Sequence, residues 1–158
     1  MRDSDSTLGD GRMNRLIACV VILSLCNLIS AAGGEKNGAP NVEGTWRLTA
    51  SIHNGKKVAD KEIAEAAVVV IFKDGKYTFT YNGAKGDVGT YKLDAKAKPA
   101  NIDLTLTEGN SKGKTQLGIY KLEADQITFA FGKVGGAERP KTFDGSQDVE
   151  VHTFKRNQ

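Results

Sequence analysis

From Gly44-Thr45-Trp46 to Phe154 the chain keeps a single beat: a short run of β-type residues, a compact turn, then another run. Only one stretch in between has helical character. Such a pattern builds an antiparallel β domain, because alternation at period two puts one face in a core and the other in water.

The first run is Trp46 to Ile52, with Trp46, Leu48, Ala50 and Ile52 predicted on one face and Arg47, Thr49 and Ser51 on the other. Asn54-Gly55 ends it, a pair suited to positive φ. Asp60 is the expected N-cap of a one- or two-turn helix over Lys61 to Ala67. Val68 to Phe72 and Tyr77 to Tyr81 flank Asp74-Gly75, the strongest short hairpin signal in the chain. After a turn at Gly83 to Gly86 come runs at Val88 to Leu93, Ile102 to Thr107, Leu117 to Leu122, Ile127 to Phe131 and Val149 to Phe154. Ala95 to Pro99, Glu108 to Lys114 and Ala124-Asp125 link them, and a longer loop covers Gly132 to Asp148.

Eight sequential strands with mostly short links predict an up-and-down meander. Closing it into a barrel removes the exposed edges. The expected fold is therefore all-β, an eight-stranded antiparallel barrel with one short helix. A two-sheet β-sandwich uses the same strand count and is the alternative.

The chain has 158 residues, and all of its Phe, Tyr and Trp residues follow position 32. Before that point lies Leu16 to Ile29, an apolar stretch broken only by Ser24 and Asn27, flanked by Arg15 and followed by Ser30-Ala31-Ala32-Gly33. Residues 1–32 read as an export signal cleaved after Ala32, since the run is short for a membrane span. On this reading the membrane is met only during export, and the product is periplasmic or extracellular. Met13-Asn14-Arg15 makes a better start than Met1, because Asp3, Asp5 and Asp10 dilute the leading charge. Lipidation at Cys19 or Cys26 is the rival route. No apolar region precedes the first, and bulky Leu25 precedes the second where a small residue is needed. Residues 33–41 form a flexible lead-in, and 42–158 a single barrel domain.

Composition narrows the function. The two cysteines lie in the apolar stretch, so the later domain has no disulfide framework and no thiol chemistry. The net charge of +3 is spread over lysines in nearly every turn, not gathered in the stripe that nucleic acid requires. Gly109-Asn110-Ser111-Lys112-Gly113-Lys114-Thr115 resembles a phosphate loop, but has three residues between its glycines where four are needed. It also leads into a strand rather than a helix. No Gly-x-Ser-x-Gly elbow is present. His53 and His152 read as exposed strand histidines: if the first and last strands pair, His53 falls near Val149 and the two rings sit several residues out of register. The sequence makes no case for an enzyme, a cofactor or a metal.

The binding candidates are aromatic. Tyr77, Phe79 and Tyr81 form a stripe that either lines a ligand cavity or fills the core, and Tyr120, Phe129 and Phe131 join it from later strands. Arg139, beside Pro140 in the longest loop, is the leading polar candidate, as a ligand contact or as a clamp on a nearby carbonyl.

Gly44-Thr45-Trp46 is similar to the Gly-x-Trp opening of lipocalins and related calycin barrels. That resemblance implies that Trp46 packs across the barrel floor under a basic residue of the last strand, Arg156 or Lys155. The chain also resembles a family of small exported domains of uncharacterised function found in many copies in planctomycete bacteria. Gly89-Thr90-Tyr91, Leu93-Asp94, Lys98-Pro99, Ile102-Asp103-Leu104-Thr105, Gly118-Ile119-Tyr120, Leu122, and Arg139-Pro140 with Phe143 carry the likeness. Ala130 departs from it, where relatives often have cysteine. The expected function is a non-catalytic exported binding module, for a small apolar molecule in the barrel or a cell-envelope partner on its surface. A structural or interaction domain with a filled interior is the alternative.

Overall fold

The computed structural model describes residues 41–157. The export-signal and lipidation readings, and nearly all of the lead-in, lie outside them. Among the described residues no helix is long and apolar enough to cross a membrane.

The strands are β1 (Gly44–His53), β2 (Lys56–Lys57), β3 (Val69–Lys73), β4 (Lys76–Tyr81), β5 (Ala84–Asp94), β6 (Ala100–Leu106), β7 (Thr115–Glu123), β8 (Gln126–Val134) and β9 (Glu150–Arg156), with one helix, α1 (Asp60–Ala66). Every neighbouring pair from β3 to β9 is antiparallel, and β1 pairs with both β3 and β9. The meander therefore closes into an eight-stranded barrel, and the sandwich alternative falls. The two-residue β2 folds back on the end of β1 and is not part of the wall.

The turn chemistry explains the register. Asn54-Gly55, Asp74-Gly75 and Asn82-Gly83 all adopt positive φ at both positions, the geometry that matches the twist of paired strands. The third of these moves the β4–β5 turn ahead of the expected Gly83 to Gly86, so β5 begins at Ala84. The helix starts one residue earlier than its sequence suggests. Ala59 is its N-cap and Asp60 lies in its first turn, while Glu62 accepts a hydrogen bond from the Ala59 amide.

One expectation fails in an instructive way. β1 pairs Leu48 with Phe154 but Ala50 with Thr153, so Thr49 is an extra residue in a β-bulge. A bulge breaks the period-two alternation. Trp46 and Leu48 face inward as expected. Beyond the bulge Ser51 and His53 line the interior, while Ile52 packs on the outside with Ile119, Ala130 and Val151.

Two cores result. The main one fills the lower barrel with Trp46, Val70, Phe72, Tyr77, Ile102 and Phe129. The smaller one lies outside the wall, where Phe143 and Val149 of the long loop cover Ile119, Ala130 and Val151. Ala130 is completely buried there.

Candidate functional site

The floor is closed by a stacked pair. Trp46 is fully buried, donates its indole N–H to the Val42 carbonyl at 2.8 Å, and lies under the Arg156 guanidinium, 4.1 Å from the ring centroid. Arg156 in turn donates to the Glu43 carbonyl at 2.8 Å. Of the two basic residues at the chain end, the structure selects Arg156.

The upper barrel is not filled. A cavity of about 460 Å³ lies between α1 and the inner walls. Its apolar part is built by Leu48, Val68, Phe79, Leu104, Phe131 and Phe154, with Ile63 and Ala66 contributed by the helix. Its polar part consists of Ser51, His53, Glu62, Tyr81, Asp87, Gln116, Glu150 and His152. The bulges bear on four of these. Thr49 turns Ser51 and His53 inward. Register shifts at Thr78/Thr80 and Gln116/Gly118 fall beside Asp87 and at Gln116.

Ser51 sits at the centre of a four-residue ring. Its Oγ lies 2.9 Å from His53 Nε2 and 2.9 Å from His152 Nδ1. The other nitrogens of the two imidazoles face one carboxylate: His53 Nδ1 is 3.4 Å and His152 Nε2 3.5 Å from the two oxygens of Glu150. A hydroxyl has one hydrogen to give. One imidazole therefore accepts from Ser51 and the other donates to it, and all four contacts are satisfied together when the donating ring is an imidazolium. Hydrogen bonding to His152, assisted by the charges of both imidazoles, holds the Glu150 carboxyl below its ordinary range against the opposing effect of partial burial. The out-of-register expectation for the histidines is thus corrected. The bulge puts His53 diagonally across from His152, with ring centroids 5.5 Å apart. Among the described residues no group of three or more such side chains is arranged to hold a metal ion.

The aromatic candidates divide. Phe79, Tyr81 and Phe131 reach the cavity. Tyr77, Tyr120 and Phe129 are buried in the packed core below it. Burial, then the charge of Asp87 and the neighbouring Tyr81, pushes the Tyr77 phenol up to about 12. Tyr81, whose ring is stacked against Phe79 at 6.5 Å, is raised by burial, then by Asp87 and Glu150.

Arg139 lies apart from the cavity. It grips the outer wall, where it donates to the carbonyls of Ile102 at 3.1 Å and Gly118 at 2.6 Å. Asp103 pairs with it at 2.6 Å, off the in-line hydrogen-bond direction. The guanidinium thereby ties β6 to β7 and anchors the long loop, which is the clamp reading of this residue.

Sequence reasoning missed Ser51, His53, His152, Glu150 and Asp87 as cavity residues. The Ser51-x-His53 spacing and the Glu150-x-His152 spacing were visible, but nothing local announced the bulge that turns the first pair inward.

No curated protein matches the chain. A family model described as a lipocalin-like domain matches residues 42–129. That span contains the Trp46 floor, the Ser51–His53 side of the cavity and Phe79, whereas Glu150 and His152 lie past its end. Together with the closed barrel and the cation-capped tryptophan, the match over more than half of the sequence places the chain in the lipocalin-like domain family.

Proposed function

We propose that this protein is an exported, non-catalytic binding module that takes a small, largely apolar molecule into the mouth of its barrel. One observation carries the reading: the side chains of the upper barrel leave about 460 Å³ of space, well above the roughly 300 Å³ at which ligand sites begin. The apolar depth and converging polar groups at one end are the usual composition of such a site. A filled structural barrel would have spent that volume on packing.

The Ser51–His53–Glu150 connectivity invites comparison with acyl-transfer enzymes. Binding is the better reading. Ser51 is engaged by both imidazoles, and its strand is committed to the β1–β9 ladder. The amides of that strand are spent on strand pairing rather than free to stabilise a developing oxyanion.

Native mass spectrometry of the secreted protein tests this reading. A co-purified small molecule, or a rise in melting temperature with neutral apolar compounds, is expected, because a ligand that binds only the folded state stabilises it. Repeated absence of an adduct, with no thermal shift across an apolar panel, would reject the proposal.

A further inference from the structure

We infer that the cavity discriminates by head-group charge: it takes an apolar molecule bearing an ammonium group in preference to one bearing a carboxylate. This rests on the binding reading above and names the ligand class for the same site.

The first argument is the sign of the lining. The chain carries 22 lysines and arginines, yet none of the residues lining the cavity is either. Three are carboxylates, Glu62 on α1, Asp87 on β5 and Glu150 on β9, approaching from different walls. The apolar depth beneath them explains why a ligand would enter, and the carboxylates decide what its outer end can be. An anionic head would be brought out of water beside like charges, whereas a cation would be paired.

The second argument concerns the two groups that could have favoured an anion. His53 and His152 line the cavity, but all four imidazole nitrogens already face Ser51 or Glu150. Both nitrogens of each ring are thereby committed, so neither ring offers a free N–H to an incoming carboxylate. No basic side chain of the lining pairs with Asp87 or Glu62, and Asp87 and Glu150 both bear on the Tyr81 hydroxyl.

The third argument is the stacked Phe79–Tyr81 pair, which presents π faces within the same cavity. An ammonium is attracted to such faces and a carboxylate is not.

Isothermal titration with decylamine, decanol and decanoate, each below its micelle concentration, tests the inference. Decylammonium is expected to bind about tenfold tighter than decanol, with decanoate weakest, as a few partly exposed charge pairs acting together would produce. In the double variant Asp87→Asn/Glu150→Gln the amine-to-decanol affinity ratio should fall to within about threefold. Should that variant fail to fold, Asp87→Asn alone, at an exposed position, should narrow the amine-to-alcohol ratio by about twofold to threefold. Decanoate binding as well as the amine, or a ratio indifferent to these substitutions, overturns the charge inference while leaving the cavity reading intact. If none of the three binds, the cavity reading falls and the inference with it.

Discussion

The guanidinium of Arg156 lies 4.1 Å over the ring of Trp46, joining the last strand to the first across the floor of the barrel. The pair also reaches back into the segment before β1, through Trp46 to Val42 and through Arg156 to Glu43. Removing the indole should therefore open the closure as well as leave a void. Trp46→Ala is expected to cost about 3–5 kcal/mol, measured by urea unfolding. Arg156→Ala should cost less, about 1–2 kcal/mol, for the stacking and one carbonyl contact. A loss below about 1 kcal/mol for Trp46→Ala would contradict the buried floor.

Arg139 should separate stability from binding. It donates to two carbonyls of adjacent strands on the outer wall and makes no contact with the cavity. Arg139→Ala is expected to destabilise by about 1–3 kcal/mol, since it leaves two acceptors short of a charged donor. The affinity for any cavity ligand, measured well below the melting temperature, should not change.

Gly89 is a packing requirement of the wall. A Cβ there would collide with the Thr105 carbonyl oxygen of β6 and lie 2.6 Å from the Tyr77 ring. Neither the backbone nor the fully buried ring can retreat cheaply. Gly89→Ala should lower stability by about 1–3 kcal/mol, and Tyr77→Phe should not rescue it, because the backbone clash persists.

Acid and alkali should act through different groups. The folded state holds the Glu150 carboxyl below its ordinary range, so its contribution is present above that range and is lost as pH falls through the lowered value. The stability gap between wild type and Glu150→Gln should narrow on acidification, and it should be small at neutral pH because the carboxylate is half exposed. Tyr77 behaves oppositely. Its phenol is pushed up to about 12, so the unfolded chain ionises first and stability declines as pH rises from about 10 towards 12. Tyr77→Phe should lessen that decline, as followed by unfolding midpoints at stepped alkaline pH.

The bulge at Thr49 can be tested directly. Deleting Thr49 removes the extra residue but leaves Leu48 opposite Phe154 and Ser51 opposite His152, so Ser51 and His53 stay on the inner face and Ile52 on the outer one. The variant is expected to keep the ring around Ser51 and the outer seam at Ile119 and Val151, with histidine resonances close to those of the wild type. A deletion variant whose histidine resonances move to those of solvent-exposed imidazoles would show that pairing with β9 does not set this register.

By itself the sequence determined the strands and their order and favoured a closed barrel, while the β1–β9 pairing of the folded chain decided closure over a sandwich. The strands and their order follow from local alternation and from Asn-Gly and Asp-Gly turns, which act over a few residues. The Gly44-Thr45-Trp46 opening likewise marked the floor. The meeting of Ser51, His53, Glu150 and His152 was decided only by the tertiary structure. It depends on one extra residue in β1 relative to a strand about a hundred positions away, and a bulge exists only between two paired strands. The same holds for Arg139, whose loop folds over carbonyls that no nearby residue specifies, and for the division of the aromatics. Tyr77 and Phe79 are equivalent in the pattern, and only the packing of the closed barrel buries one in the core and leaves the other lining a space.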